Sequence, residues 1–270
     1  MLIVTCVKQV PDTTQVKVDP VTGTLIREGV PFIMNPYDTH ALEESLRLKD
    51  KYGFKVAVIS MGPPNAEVTL RKTIAQGADE AILLSDRAFG GADTLATSMV
   101  LTGAIKKLAE KEKLAMIICG RQTIDGDTAQ VGPGIATRLG CTQLTLVDRV
   151  EEVDLKTNTV KVRRKLEGRH EIVSAPLPVM IAVLREINTP RYPTVPMRLA
   201  AQDAAIITWD NKVMNMDVNT IGLKGSATQV RKIFSPERAK GEIVAGENDK
   251  PADAAKALID KMVSRDLLSL

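Results

Sequence analysis

The sequence predicts an α/β fold with a parallel sheet covered by helices, and two observations carry that prediction. Over the first 150 residues, short apolar runs alternate with segments of helical period, the order that builds strand–helix–strand units. The runs are continuous rather than alternating in polarity, as strands buried on both faces require. The first covers residues 2–7, and runs at 56–60, 81–84, 115–119 and 143–147 repeat its character.

The helices lie between these runs. Asp38 is placed to cap one that reaches about Lys51, with Leu42 and Leu46 on one face. Pro64 suits a first helical turn and Gly77 a stop. Asp93 caps a long helix that ends near Lys113 and sets Ala96, Val100, Ala104 and Leu108 at helical spacing. A fourth is expected to begin at Thr128, pass through Leu139 and close at Gly140. After residue 150 the pattern changes. Residues 159–164 and 170–173, around a turn at Glu167 and Gly168, read as an antiparallel hairpin, and 178–184 adds another apolar strand. Three prolines between Asn188 and Pro196 mark a loop of restricted freedom. The domain is expected to span residues 1–200. Residues 201–270 read as an arm, with a glycine-punctuated piece at 222–234 and a final helix from about Pro251. That helix places Ala255, Leu258, Ile259, Met262 and Val263 on one stripe, which its own segment cannot bury, so a partner chain is the favoured cover.

Composition narrows the function. The 270 residues can bury a sizeable core, and four Phe, three Tyr and one Trp make that core aliphatic. A net charge of +3 with no dense basic block argues against nucleic acid. Three widely spaced cysteines, without a CxxC pair, argue against a disulfide scaffold, an iron–sulfur site or a structural zinc; Cys6 and Cys119 read as small buried hydrophobes. No run approaches the ~18 apolar residues of a membrane span, and the first ten residues are too quickly charged for a signal peptide. A cytoplasmic protein, or a matrix protein of an organelle, is expected.

No catalytic constellation is present: there is no GxSxG, HExxH, Walker lysine motif or telling Cys–His spacing. His40 and His170 read as structural or surface groups. The informative features are loops at the carboxyl ends of the predicted parallel strands, where helix N-termini and free backbone N–H groups converge. KQVPDT at 8–13 lacks GxGxxG, MGPP at 61–64 is a tight turn, and GGADTLAT at 90–97 offers a cap and two hydroxyls. The strongest is GRQTIDGDTAQVG at 120–132. Gly120 and Gly126 admit close backbone approach, and Arg121, Gln122, Thr123, Thr128 and Gln130 add donors. Asp125 and Asp127 suit ribose hydroxyls, an adenine amino group or capping better than a phosphate. On spacing alone, two readings stay open: an adenine-nucleotide site, and a polar loop that caps its own helix.

The chain resembles the beta (small) subunit of electron-transfer flavoproteins. The likeness rests on GRQTIDGDTAQVGP together with VTCVKQVPDT, MNPYDTHALEESLRLKD, VISMGPP, QGADEAILL, VRRKLEGRHEIVSAPLPVMIAV and INTPRYPTVP, all in order over residues 1–200 and more loosely beyond. The resemblance implies an adenine nucleotide alpha-hydrolase-like, Rossmann-like domain and a C-terminal arm wrapped on an alpha subunit, in a heterodimer. It places nucleotide contacts on Cys6, Asn35, Pro36, Tyr37, Asp38, Met61, and on Gly120, Arg121, Gln122, Thr123, Ile124, Asp125, Gly126, Asp127, Thr128, Ala129, Gln130 and Val131. It assigns docking of acyl-CoA dehydrogenase-type partners to Tyr192, Pro193, Thr194, Val195 and Pro196, with Val195 as the apolar anchor; an ordinary proline-rich connector is the other reading. AMP-type members tend to carry an acidic residue where this chain has Gly126 and Asn where it has Ala129. DGDTAQVG, FGGADTLAT and GLKGSATQV are similar to the electron-bifurcating group, which implies FAD in this site. Asp93, Thr94 and Thr97 then join the cofactor contacts, with the hydroxyls of Thr94 and Thr97 offered to the isoalloxazine edge. NADH would be the hydride donor, and ferredoxin or flavodoxin one of the electron acceptors. The alternatives are a non-bifurcating carrier holding structural AMP and a non-redox nucleotide-binding module.

Overall fold

The computed structural model describes residues 1–12, 31–230, 241–244, 246 and 250–268. The chain divides into two compact units, Met1–Arg231 and Lys232–Leu270.

The first unit opens with β1 (Leu2–Cys6), β2 (Gln9–Pro11) and β3 (Phe32–Met34), then α1 (Pro36–Tyr52), β4 (Lys55–Met61), α2 (Glu67–Gln76) and β5 (Glu80–Leu84). There follow α3 (Thr94–Ala109), β6 (Leu114–Gly120), α4 (Val131–Leu139), β7 (Thr142–Asp154), β8 (Thr159–Leu166), β9 (Arg169–Pro176) and β10 (Val179–Val183). The last elements of the unit are α5 (Val195–Gln202), β11 (Ile207–Trp209), α6 (Asn211–Met214) and α7 (Gly222–Gly225); α8 (Pro251–Ser264) belongs to the second unit.

Nine strands form one sheet in the order β11-β5-β4-β1-β6-β10-β7-β8-β9, parallel from β11 to β7 and antiparallel from β7 to β9. All five residues of β1 are buried because helices cover both faces. Ile3 joins the aliphatic cluster of Leu42, Leu46 and Leu70 from α1 and α2, whereas Leu2 and Val4 join that of Val100, Ile105 and Ile135 from α3 and α4. The chain leaves β1 toward β4 on one side and returns to β6 on the other. That reversal opens a crevice at the carboxyl ends of β1 and β6, where Cys6 lies opposite Cys119.

Several boundaries differ from the sequence reading. Asp38 does not cap α1: Asn35 is the N-cap and Pro36 the first helical residue, which leaves the Asp38 carboxylate free to bond elsewhere. The fourth helix begins at Val131 rather than Thr128, because Asp127 and Ala129 hold φ of 51° and 55° and cannot propagate a right-handed helix. The expected hairpin is one half of a three-stranded antiparallel meander, since β7 runs on to Asp154 and pairs with β8. The proline-rich stretch runs at its end into a helix over residues 195–202, which Thr194 caps by accepting from the Met197 N–H. The stretch 201–231, read as the start of an arm, contributes the edge strand β11, which carries the buried Trp209. Within the second unit, Glu242 pairs with Lys261 of α8 and with Arg265 just after it, and Leu258, Ile259 and Val263 are exposed along the helix.

Candidate functional site

The crevice at the reversal point is a cavity of about 340 Å³. Four segments wall it: Cys6, Val7 and Lys8 at the end of β1, Met61 at the end of β4, residues 92–94 and 97 at the start of α3, and residues 119–123, 126 and 128–132 from the end of β6 to the start of α4.

The site's base is set by α1 crossing under the end of β6. A Cβ built on Gly120 would lie 2.5 Å from both Asp38 Oδ1 and Tyr37 Cβ, so only glycine allows this approach. Across the contact the Asp38 carboxylate ties two loops together, accepting from the backbone N–H of Lys8 at 2.8 Å and of Gly120 at 3.2 Å. Burial pushes this carboxyl up to about 7, outweighing the hydrogen bonds from Asn35, Lys8 and Gly120 that favour its ionised form. Asn35 braces the loop from below: its Nδ2 donates to Gln122 O at 2.9 Å, and its Oδ1 accepts from the Ile124 N–H at 3.2 Å. Arg185 stacks over the Tyr37 ring at 4.5 Å from the centroid.

The loop between β6 and α4 supplies the other wall. Lys8 Nζ reaches Asp125 Oδ2 at 2.6 Å, and Gln122 donates to Asp127 Oδ1 at 2.7 Å, so both aspartates are neutralised or bonded within the protein. Burial opposes ionisation of Asp125, yet its pairing with Lys8 holds it below the usual carboxylate range. No side chain caps α4, and Pro133 has no N–H to satisfy. The N–H groups of the first turn, at Val131 and Gly132, therefore stand at a cavity wall, a ready anion site. Thr94 at the start of α3 donates to Gln130 Oε1 at 2.8 Å and links the two helix N-termini.

Most of the residues singled out in the sequence line this cavity: Cys6, Asp38, Met61, Asp93, Thr94, Thr97, Gly120, Arg121, Gln122, Thr123, Gly126, Thr128, Ala129, Gln130 and Val131. Asn35, Pro36, Tyr37, Ile124, Asp125 and Asp127 do not line it, although Asn35, Tyr37, Ile124, Asp125 and Asp127 contact residues that do. Lys8, Ala92 and Gly132, from the three loops already flagged, line it too, and the structure adds Val7, Leu101, Cys119 and Ile135. Leu101 and Ile135 lie one turn beyond Thr97 and Val131, so helical period was the signal that would have found them. Both thiols at the floor are buried and protonated. Burial pushes Cys119 up to about 12 and Cys6 well above its usual value, with Asp38 nearby acting in the same direction. Among the described residues there is no cluster of His, Cys, Asp and Glu able to hold a metal ion, and no helix is long and apolar enough to cross a membrane.

A model of the electron transfer flavoprotein domain matches residues 22–214. The electron transfer flavoprotein subunit beta of Clostridium acetobutylicum is 50% identical over 260 residues, covering 96% of each chain. The chain belongs to the electron transfer flavoprotein family, as a beta subunit. Protein FixA of Azotobacter vinelandii is 46% identical over 97% of this chain and 94% of its own. The caffeyl-CoA reductase-Etf complex subunit CarD of Acetobacterium woodii is 43% identical over 99% of this chain and all of its own. Beta subunits of the electron transfer flavoprotein family pair with an alpha subunit and work in electron transfer with a flavin or nucleotide cofactor.

Away from the cavity, residues 188–196 project from α1. Arg191 donates to both carboxylate oxygens of the buried Glu43, at 2.9 and 3.2 Å, and Asn188 donates to His40 O and Glu44 Oε2. His40 Nδ1 faces Asn188, a structural role. This anchoring holds Tyr192 at 95% exposure and Val195 at 69%, two apolar groups that no fold requirement places in water. His170 pairs with the buried Asp148, which Arg163 also holds.

Proposed function

We propose that the chain holds FAD in the cavity between β1 and β6 and, with an alpha subunit, carries electrons between NADH, an acyl-CoA dehydrogenase-type partner and ferredoxin or flavodoxin by flavin-based bifurcation. The observation that carries the reading is Gly126. A Cβ built there would meet only Thr123 Oγ1, at 3.4 Å, so the protein itself leaves the space in front of the loop open. The lining suits such a ligand: uncapped N–H groups of α4 for phosphate, hydroxyls of Thr94 and Thr97 for a polar ring edge, and Met61, Leu101 and Ile135 for an apolar face.

When bound, the flavin supplies the exchange between hydride and single-electron chemistry. The chain's own residues bind and orient. Val131 and Gly132 present N–H groups to the phosphates, Asn35 and Asp38 keep the loop and strand ends in register, and the protonated Cys6 and Cys119 keep the floor uncharged. Asp125 and Lys8 neutralise each other at the rim, which spares a phosphate the repulsion of an unpaired carboxylate. The loop that exposes Tyr192, Pro193, Thr194, Val195 and Pro196 serves as the dehydrogenase dock, with Val195 as its anchor, and the name of the CarD relative supports an acyl-CoA-acting partner. The unit at 232–270 serves as the arm on the alpha subunit, with the exposed stripe of α8 as its contact.

A second reading, structural AMP in a simple carrier, is favoured by size. The cavity of about 340 Å³ lies near the low end of the ~300–1,000 Å³ range of ligand sites. Anaerobic rapid mixing of the co-expressed heterodimer with NADH separates the two. The bifurcating reading predicts hydride-driven bleaching of a beta-site flavin. A dimer with two flavins, neither of which NADH reduces, contradicts it.

A further inference from the structure

The wall of the cavity formed by the start of α3 is held from behind by a segment from far along the chain. Residues 222–228 lie against residues 88–93: the Leu223 N–H donates to Gly90 O at 3.0 Å, and the Asp93 N–H donates to Ser226 Oγ at 2.8 Å. The fit is close. A Cβ on Gly222 would lie 2.0 Å from Ala88 O, and one on Gly91 would meet Leu223 at 3.3 Å.

Asp93 joins the two segments. Its Oδ1 accepts from the Ala96 N–H at 3.0 Å, which caps α3, while its Oδ2 accepts from both the N–H and the hydroxyl of Thr228, at 2.9 and 3.0 Å. Burial works against this carboxylate, but the bonds from Ala96, Thr228 and Ala227 hold it below the ordinary range. Asp93 itself lines the cavity, and the next residue, Thr94, bonds Gln130 at the foot of α4. A line of contacts thus runs from Thr228 by hydrogen bonds to Asp93, along the backbone to Thr94, and by a hydrogen bond to Gln130, linking the strap to the loop of Gly126. Four residues after Thr228, at Lys232, the second compact unit begins.

We propose that residues 222–228 form a strap that sets the α3 wall of the cavity, with Asp93 as its positioning residue, so that seating of the strap and binding of an adenine nucleotide favour each other. The inference rests on the reading of this cavity as a nucleotide site. Both carboxylate oxygens of Asp93 are committed to the protein, so the residue acts on a ligand through Thr94 and Gln130 rather than by contact. Coupling of this kind is reciprocal: whatever the nucleotide adds to the seating of the strap, the seated strap adds to nucleotide affinity.

The test uses the full-length chain co-purified with its alpha subunit and stripped of nucleotide, with AMP and FAD as probes. Asp93→Asn keeps an oxygen for the Ala96 N–H, and Asn is as good an N-cap as Asp, yet its amide cannot accept from Thr228. Thr228→Val removes the hydroxyl at an exposed position without touching α3. In the wild type, nucleotide should slow backbone hydrogen exchange over 222–230. In both variants that segment should exchange fast, and nucleotide should bind roughly tenfold more weakly, the effect of losing a charge-assisted hydrogen bond. Thr228→Ser should restore both readouts. If the wild type binds nucleotide without slowing exchange at 222–230, or if the variants bind as tightly as the wild type, the coupling is refuted. If the wild type binds neither probe, the reading of the cavity fails and takes the coupling with it.

Discussion

Replacing Gly120 by Ala tests the construction of the site at its tightest point. The added methyl would sit 2.5 Å from Asp38 Oδ1 and Tyr37 Cβ and 2.8 Å from the Tyr37 carbonyl carbon. The last of these is backbone at the start of α1, so no side-chain rotation relieves the clash, and the helix must retreat from β6. Overpacking of this kind costs ~1–3 kcal/mol. Retreat also lengthens the 3.2 Å bond from the Gly120 N–H to Asp38, and a hydrogen bond to a charged group contributes ~1.5–3 kcal/mol. A loss of about 3 kcal/mol overall, at ~2–4 °C per kcal/mol for a chain of this size, lowers the melting temperature by roughly 6–12 °C. Scanning calorimetry reads the effect, with Gly126→Ala as the control, because its Cβ makes only an ordinary contact at 3.4 Å. Equal melting temperatures for Gly120→Ala and the wild type would refute the argument that α1 and β6 are locked together here.

Three further outcomes follow from the same geometry. Gly126→Glu adds a side chain whose Cβ makes only an ordinary contact with the protein, so the purified dimer should lose its beta-site FAD on nucleotide analysis; full retention of FAD would contradict it. Asp38 titrates at about 7 in the fold against 3.8 as a free group, so its contribution to stability is complete below pH 3.8 and lost as pH rises through 7. Asp38→Asn has no such titration. The urea-unfolding free energy of the wild type minus that of Asp38→Asn should therefore fall with pH across that window, by ~1.4 kcal/mol per unit. Ending the chain at residue 231 removes the second compact unit and leaves β11 in the sheet, so the fluorescence of the single, buried Trp209 should be unchanged while association with the alpha subunit is lost in size-exclusion chromatography.

The sheet was legible because its strands are buried on both faces, and continuous runs such as LIVTC and VAVIS have no other use in a chain with so few aromatics. The loop after β6 was legible as a cavity wall because Gly120 and Gly126 stand among donors directly after such a strand. What escaped depended on tertiary contacts. Asp38 reads as a cap because caps are the commonest use of an Asp before a helix, and nothing local says that β6 lies beneath it. The start of α4 was displaced by two non-glycine residues in the left-handed region, Asp127 and Ala129, for which propensity gives no warning. β11 has three residues, too short for a periodic signal, and its place is decided by pairing with β5. The pairing of Lys8, in the KQVPDT loop, with Asp125 joins residues 117 positions apart, which no local pattern relates.

The central claim is that this cavity holds FAD rather than AMP, and the most direct measurement is the nucleotide content of the co-expressed heterodimer after acid release. Two FAD per dimer and no AMP are expected. One FAD and one AMP per dimer would contradict it and leave a simple carrier, and a dimer without flavin would contradict electron transfer by this chain altogether.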